Sequence, residues 1–193
     1  RGVRLGHATD LAPKPMLPVG GKPLLEHQLL WLKASGIRDV FMCLGYKAEM
    51  VMDYFGDGSR WGMSVAYEVE KTPRGTAGAV RDLESRIGDD ILVVYGDLYI
   101  DMDCARLLDF LRSHQGAATI VVSESDHPHD SDLARVEGER LTGFYRAKPG
   151  EPYENLALAA VWVLRKRLLD IVPADAPSDF GRASNTYAAK SEM

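Results

Sequence analysis

Two hydrophobic periods take turns along the first 122 residues, and that alternation admits few architectures. Val40-Phe41-Met42-Cys43-Leu44 and Ile91-Leu92-Val93-Val94-Tyr95 are unbroken apolar runs, the mark of strands covered on both faces. Cys43, inside the first run, is expected in the core. Met63 to Tyr67 and Ala118 to Val122 supply two more strands. Between the strands the period is helical. Leu24, Leu25, Leu29 and Leu32 share a face, with Gln28 and Lys33 interspersed. Pro23 suits the first turn of that helix and Gly36 its end. Residues 47–54, 77–86 and 104–113 read as further helices. Strands alternating with helices predict right-handed crossovers and a mostly parallel, doubly wound α/β sheet with helices on both faces.

After Asp126 the pattern changes. Ala134 to Val136, Leu141 to Arg146 and Leu156 to Leu164 read as strands joined by short connections, a small antiparallel extension in the C-terminal third. A helix near Lys166 to Ile171 follows, and the closing "ASNTYAAKSEM" has no strong period and reads as a loosely held tail. With 193 residues the chain can bury the core of one domain. We divide it into residues 1–123, 124–171 and a tail, 172–193. The net charge of -5 argues against a broad nucleic-acid or membrane surface, though local cations can still hold a phosphorylated small molecule. Neither Cys43 nor Cys104 has metal-ligand spacing, and no apolar run is long enough to span a bilayer. Both points suit a reducing, cytoplasmic location.

Three loops stand where a doubly wound sheet places its ligands, at the carboxyl ends of strands. "RGVRLG", continuing to "APKPMLPVGGKP", holds Gly2, which permits close backbone approach, and two cations, Arg4 and Lys14. A phosphate-handling loop and a surface loop with solvated cations both fit it. "EKTPRGTAGAV" places Gly75 and Gly78 before a helix, as an approach to a planar ligand or as an ordinary strand-to-helix turn. In "VVYGDLYID" a strand runs into Asp97, which is placed either to hold Mg²⁺ against phosphates or to form a turn. Asp103 is the better helix cap, preceding Cys104. "SDHPHDSD" gathers His127 and His129 with carboxylates, but its composition is that of a solvated loop. Trp31, Trp61 and Trp162 read as packing residues.

Taken together and in order, "GVRLG…DLAPKPMLPVGGKPLLEHQL", "GYKAEMVMDYFGDGSRWGMSVAYEVEKTPRGTAGAV" and "VVYGDLYIDMD" closely resemble the sugar-1-phosphate nucleotidyltransferases. The resemblance covers residues 2 to about 123 well and continues weakly to about 171. It implies a Rossmann-like fold, a nucleotide-binding part at 1–123, a sugar-binding part at 124–171, and Mg²⁺-assisted joining of a nucleoside triphosphate to a sugar 1-phosphate with release of pyrophosphate. It assigns catalytic roles to Arg4, on the triphosphate, and Lys14, on the α-phosphate. Gly2, Glu70, Gly75, Thr76 and Gly78 fall in its nucleotide-binding positions, Asp97 in its metal-binding position, and Lys22 and Lys148 in its substrate-binding positions. "PRGTAGA" looks most like the mannose- and heptose-1-phosphate guanylyltransferases, so GTP and a mannose- or heptose-type phosphate are expected.

The departures support a second reading. Ala147 replaces the family's glutamate in "YRAKP", Leu158 and Ala160 replace the Asn and Gly of its N-A-G segment, and its late second metal aspartate is not found. A non-catalytic nucleotide-sugar-sensing or regulatory subunit therefore stays open, as does a uridylyl- or cytidylyltransferase. The family's first strand would lie before Arg1, so a longer chain is expected. Homo-oligomerisation stays open.

Overall fold

The computed structural model describes residues 12–191, with side chains through Tyr187. The chain separates into two compact units, Arg1–Pro73 with Tyr95–Leu107, and Arg74–Val94 with Leu108–Met193.

The first unit opens with a 3₁₀ turn, Lys14–Met16, and a two-residue antiparallel ribbon of β1 (Pro18–Val19) and β2 (Lys22–Pro23). Helix α1 (Leu24–Ala34) follows directly, with Pro23 as its N-cap at φ -54, a value proline adopts without strain. Strand β3 (Asp39–Leu44), helix α2 (Ala48–Phe55) and strand β4 (Ser64–Val69) form a parallel crossover, in register from Asp39↔Ser64 to Leu44↔Val69. Leu29, Met42, Val51, Phe55, Trp61, Met63 and Val65 are buried together beneath them. Each large side chain removed from water there contributes about 1.5–3 kcal/mol. Only Met42 of β3 is buried, and Cys43 is exposed, not in the core. The apolar run is shared between two faces, and β4 is the partner found for β3 among the described residues.

The second unit holds helix α3 (Gly75–Asp82) and a five-stranded sheet. Its strands are β5 (Asp90–Val94), β6 (Ala118–Ser123), β7 (Leu133–Glu137), β8 (Arg140–Tyr145) and β9 (Ala157–Arg165). Helix α4 (Cys104–Ser113) precedes β6, its first turn capped by Asp103, whose Oδ1 accepts the Ala105 N–H at 2.9 Å. β9 pairs antiparallel with β5 from Asp90↔Arg165 to Val94↔Val161, and antiparallel with β6 from Ala118↔Leu164 to Ser123↔Ala157. β5 and β6 therefore run parallel to each other with β9 inserted between them, so the late strand is part of the sheet's centre rather than only an extension of it. The register of β9 slips near Ala160, which has φ 54.

The stretch expected as a loose tail is instead helix α5 (Phe180–Ser191). Phe180 at its start is fully buried, 5.2 Å ring to ring from Trp162, which itself lies 5.8 Å from Phe144. The period was hard to read because the helix is anchored by one aromatic at its first position and small residues after it. The 3₁₀ turn Lys166–Ile171 falls where the sequence places a helix. Among the described residues no helix is long and apolar enough to cross a membrane.

Candidate active site

Strand β5 ends at Val94 and runs into Tyr95-Gly96-Asp97. In the first unit the Asp97 carboxylate meets Lys14, with Nζ donating to Oδ2 at 2.7 Å and both side chains 40% exposed. Packing at Gly96 allows this approach. A Cβ there would lie 3.3 Å from Cγ of Pro15, so a bulkier residue would push the lysine loop away. The turn is fixed from the other side by Gln28, only 3% exposed, whose Nε2 donates to the carbonyls of Tyr95 at 2.8 Å and Leu98 at 2.7 Å. Two backbone acceptors of the turn are thus held by one helix residue. Trp31, on the same helix, donates its indole N–H to the Met102 carbonyl at 2.8 Å.

Lys22, in β2, lies 3.9 Å from Glu26 one turn into α1. Glu26 is 8% exposed and accepts the Tyr54 hydroxyl at 2.5 Å. Burial pushes its carboxyl up. Hydrogen bonds from Tyr54 and Trp61, with the charges of Lys22 and Arg60, outweigh that and hold it below the ordinary glutamate value. The same contact raises the Tyr54 hydroxyl. Glu70 follows β4, its amide donating to the Leu44 carbonyl at 2.8 Å. Its Oε2 stands 3.9 Å from where a Cβ of Gly45 would be, at the carboxyl ends of the parallel pair.

The other nucleotide-loop positions belong to the second unit. Gly75 has φ 73, and a Cβ there would meet the Ser178 carbonyl oxygen at 2.6 Å. Glycine is the residue that fits both conditions. The first amides of α3 point at the same segment. Thr76 N–H donates to Asp179 Oδ1 at 3.0 Å, and the amides of Ala77 and Gly78 donate to the Ser178 carbonyl at 2.9 and 3.0 Å. Lys148 follows β8, with its side chain 74% exposed and 3.7 Å from Glu151. Arg146 pairs with Asp132 at 3.0 Å. The structure therefore joins Lys14 to Asp97 and places Lys22 on Glu26, both in the first unit, and sets Gly75, Thr76 and Gly78 against residues 178–179. Gly2 and Arg4 lie outside the described residues.

Gln28, Glu26, Ser178 and Asp179 were not singled out by sequence reasoning. Gln28 carried a signal, a polar residue on the face defined by Leu24, Leu25 and Leu32. Asp179 carried little, since its partner is 103 residues away. Among the described residues no three His, Cys, Asp or Glu side chains gather into a metal site. Asp97 alone is a hard oxygen donor, which fits an ion that takes its other ligands from phosphates and water. His127 and His129 sit on an exposed turn, His129 against the ring of Tyr153 at 5.4 Å.

Residues 1–192 match the family model described as Nucleotidyl transferase. The chain is 32% identical over 174 residues to a mannose-1-phosphate guanylyltransferase of Mycobacterium tuberculosis, covering 90% of this chain and 48% of that protein. It is also 32% identical over 192 residues to the low-salt glycan biosynthesis nucleotidyltransferase Agl11 of Haloferax volcanii, covering 98% and 54%. The chain thus spans about half the length of the curated relatives it matches. Among solved structures, a Bacillus anthracis protein assigned as a glucose-1-phosphate thymidylyltransferase and bound to sucrose superposes with TM-score 0.85 at 23% identity, covering 98% of this chain and 79% of that one. That likeness shows the α/β, Rossmann-like fold.

Proposed function

Because this chain belongs to the nucleotidyl transferase family, we propose that it transfers GMP from GTP to a mannose- or heptose-type sugar 1-phosphate, giving a GDP-sugar and pyrophosphate. The observation that carries the reading is the Lys14–Asp97 pair, a phosphate-sized cation and a metal-competent carboxylate held 2.7 Å apart by a turn with its own supports. The relatives named as mannose-1-phosphate guanylyltransferases support the choice of base and sugar.

In the reaction an oxygen of the sugar phosphate attacks the α-phosphorus. The bond from that phosphorus to the oxygen it shares with the β-phosphate breaks, and pyrophosphate leaves. No protein nucleophile is required, so the chain contributes position and charge. Lys14 takes a non-bridging oxygen of the α-phosphate and stabilises the charge that develops there. Asp97 is the residue that would hold Mg²⁺, and the ion would supply Lewis-acid neutralisation of the phosphates. Lys22, oriented by buried Glu26, offers a second cation to the phosphates, and Arg4 a third. Glu70 and the Gly75–Gly78 loop receive the base, and Lys148 the sugar phosphate.

Pyrophosphate release is the test, with Mg²⁺, four nucleoside triphosphates, and mannose 1-phosphate or a heptose 1-phosphate. Release with GTP that Lys14→Ala abolishes supports transfer and base together. Release with UTP or CTP alone keeps the chemistry and replaces the base. Nucleotide binding with no release for any pair sinks the enzyme reading in favour of a sensing or regulatory subunit, the reading that Ala147, Leu158 and Ala160 would favour.

A further inference from the structure

The clasp at the start of α3 extends further than helix capping needs. The Asp179 carboxylate accepts both the amide and the hydroxyl of Thr76, at 3.0 and 3.3 Å. The Thr76 hydroxyl oxygen accepts the Phe180 N–H at 3.1 Å. The Ser178 N–H returns to the Arg74 carbonyl at 2.8 Å. Arg74 itself is pinned, Nε and Nη2 donating to Asp82 at 3.0 and 3.1 Å, with Nη2 also reaching the Ala174 carbonyl. Residues on either side of Gly75 are therefore tied to the turn that begins α5, and the glycine's left-handed conformation is determined by that tie.

Six residues into α5, a second contact uses the middle of the same helix. Asn185 Oδ1 accepts the Phe144 N–H at 2.6 Å, and its Nδ2 donates to the Phe144 carbonyl at 3.3 Å. β8 is the last strand in the sheet order, so its outer edge has backbone groups to satisfy. Asn185 satisfies one pair of them. It does so one residue before Tyr145, whose hydroxyl accepts the Glu154 N–H at 3.1 Å and folds back the turn carrying Lys148.

We propose that α5 is a positioning element for both substrate loops: Asp179 fixes the Gly75–Gly78 nucleotide loop, and Asn185 fixes the strand that delivers Lys148. The proposal rests on the nucleotidyl-transfer reading for the roles of those loops. Neither Asp179 nor Asn185 touches substrate. Each acts on one loop, so each substitution shifts affinity for one ligand and spares the other. A purely structural role would lower thermal stability and move both affinities alike.

The experiment measures the Kd of GTP and of mannose 1-phosphate by calorimetry, with amide exchange at Thr76 alongside. Asp179→Ala is expected to weaken GTP about tenfold, the scale of losing a hydrogen bond to a charged group, to speed exchange at Thr76, and to leave mannose 1-phosphate within about twofold. Asn185→Ala is expected to do the converse, weakening mannose 1-phosphate about fivefold. Asp179→Asn keeps an acceptor and should restore most of the GTP affinity. If Asp179→Ala does not fold, Asp179→Glu carries the same test through its altered reach. Equal loss of both ligands, or no loss of either, overturns the proposal. A wild-type protein that binds both ligands but releases no pyrophosphate sinks the transfer reading and leaves the two Kd comparisons to judge α5. A wild-type protein that binds neither overturns both.

Discussion

At the Asp97 turn two charged side chains hold each other, each 40% exposed. At the start of α3 three backbone amides are held by residues 178–179, about a hundred positions along the chain. Both stretches look like ligand loops in sequence. Their physics differs. A half-exposed ion pair contributes about 0–1 kcal/mol, so its partners exchange for a phosphate or a metal at little cost. A glycine at φ 73 pressed against a carbonyl, with its neighbours' amides satisfied, does not exchange. The charged corner is built to change partners, and the glycine loop is built to stay still. Glycines that would be credited with ligand approach in such a motif are needed first for approach to the protein's own backbone.

The largest effect expected from this contrast is on catalysis at Lys14. Lys14→Ala should lower pyrophosphate release about 10²–10³-fold, as removal of one charge-stabilising donor does. Its unfolding free energy in urea should stay within about 1 kcal/mol of wild type. A large stability loss would break the contrast, making the pair a structural clamp. Gly75→Ala should show the reverse order. The Cβ would sit 2.6 Å from the Ser178 oxygen, and stability should fall by about 2–3 kcal/mol from strain and backbone displacement. An unchanged urea midpoint would mean that the loop yields freely, and that it resembles the Asp97 turn after all.

Gln28→Leu sharpens the comparison within the corner itself. The pair exchanges partners, but the turn beneath it is fixed by the Tyr95 and Leu98 carbonyls on Gln28. Removing the side-chain amide that donates to both should cost about 1–2 kcal/mol. It should also raise the Mg²⁺ concentration needed for half-maximal pyrophosphate release, because Asp97 sits in that turn. A stability loss with an unchanged Mg²⁺ requirement would separate the turn from the carboxylate it carries.

The strands and helices of the first 122 residues were legible because their periods are local. Cys104–Ser113 was placed to the residue, and Asp103 as its cap. The family resemblance gives Lys14 and Asp97 separate roles, but their direct contact was not legible, since 83 residues separate them. Three further features were not legible. Cys43 lies in an apolar run yet is exposed, because burial depends on what covers a strand as well as on its composition. β9 reads as another hairpin-like strand, and nothing local says that it enters between β5 and β6. Helix α5 lacks a stripe of large apolar residues, and its stability comes from Phe180 under Trp162 and from Asn185 on β8. Each of these is a long-range contact, and sequence periodicity does not encode it.

The smallest expected effect lies in the sheet, where a residue now occupies a conformation suited to glycine. Ala160 has φ 54 at the register slip of β9, between the stretch paired with Val122 and the stretch paired with Ile120. It is also the position at which the family resemblance places a glycine. Left-handed backbone costs alanine about 1–2 kcal/mol. Glycine there would avoid that cost but would lose more conformational freedom on folding, about 0.5–1 kcal/mol. The difference favours glycine, so Ala160→Gly should stabilise by about 0.5–1 kcal/mol and raise Tm by about 1–4 °C. Scanning calorimetry reads this directly. A fall in Tm would mean that the Ala160 methyl group contributes more packing than its backbone costs. The slip in β9 would then be held by side chains, as the Asp97 turn is held by Gln28, rather than by backbone geometry as at Gly75.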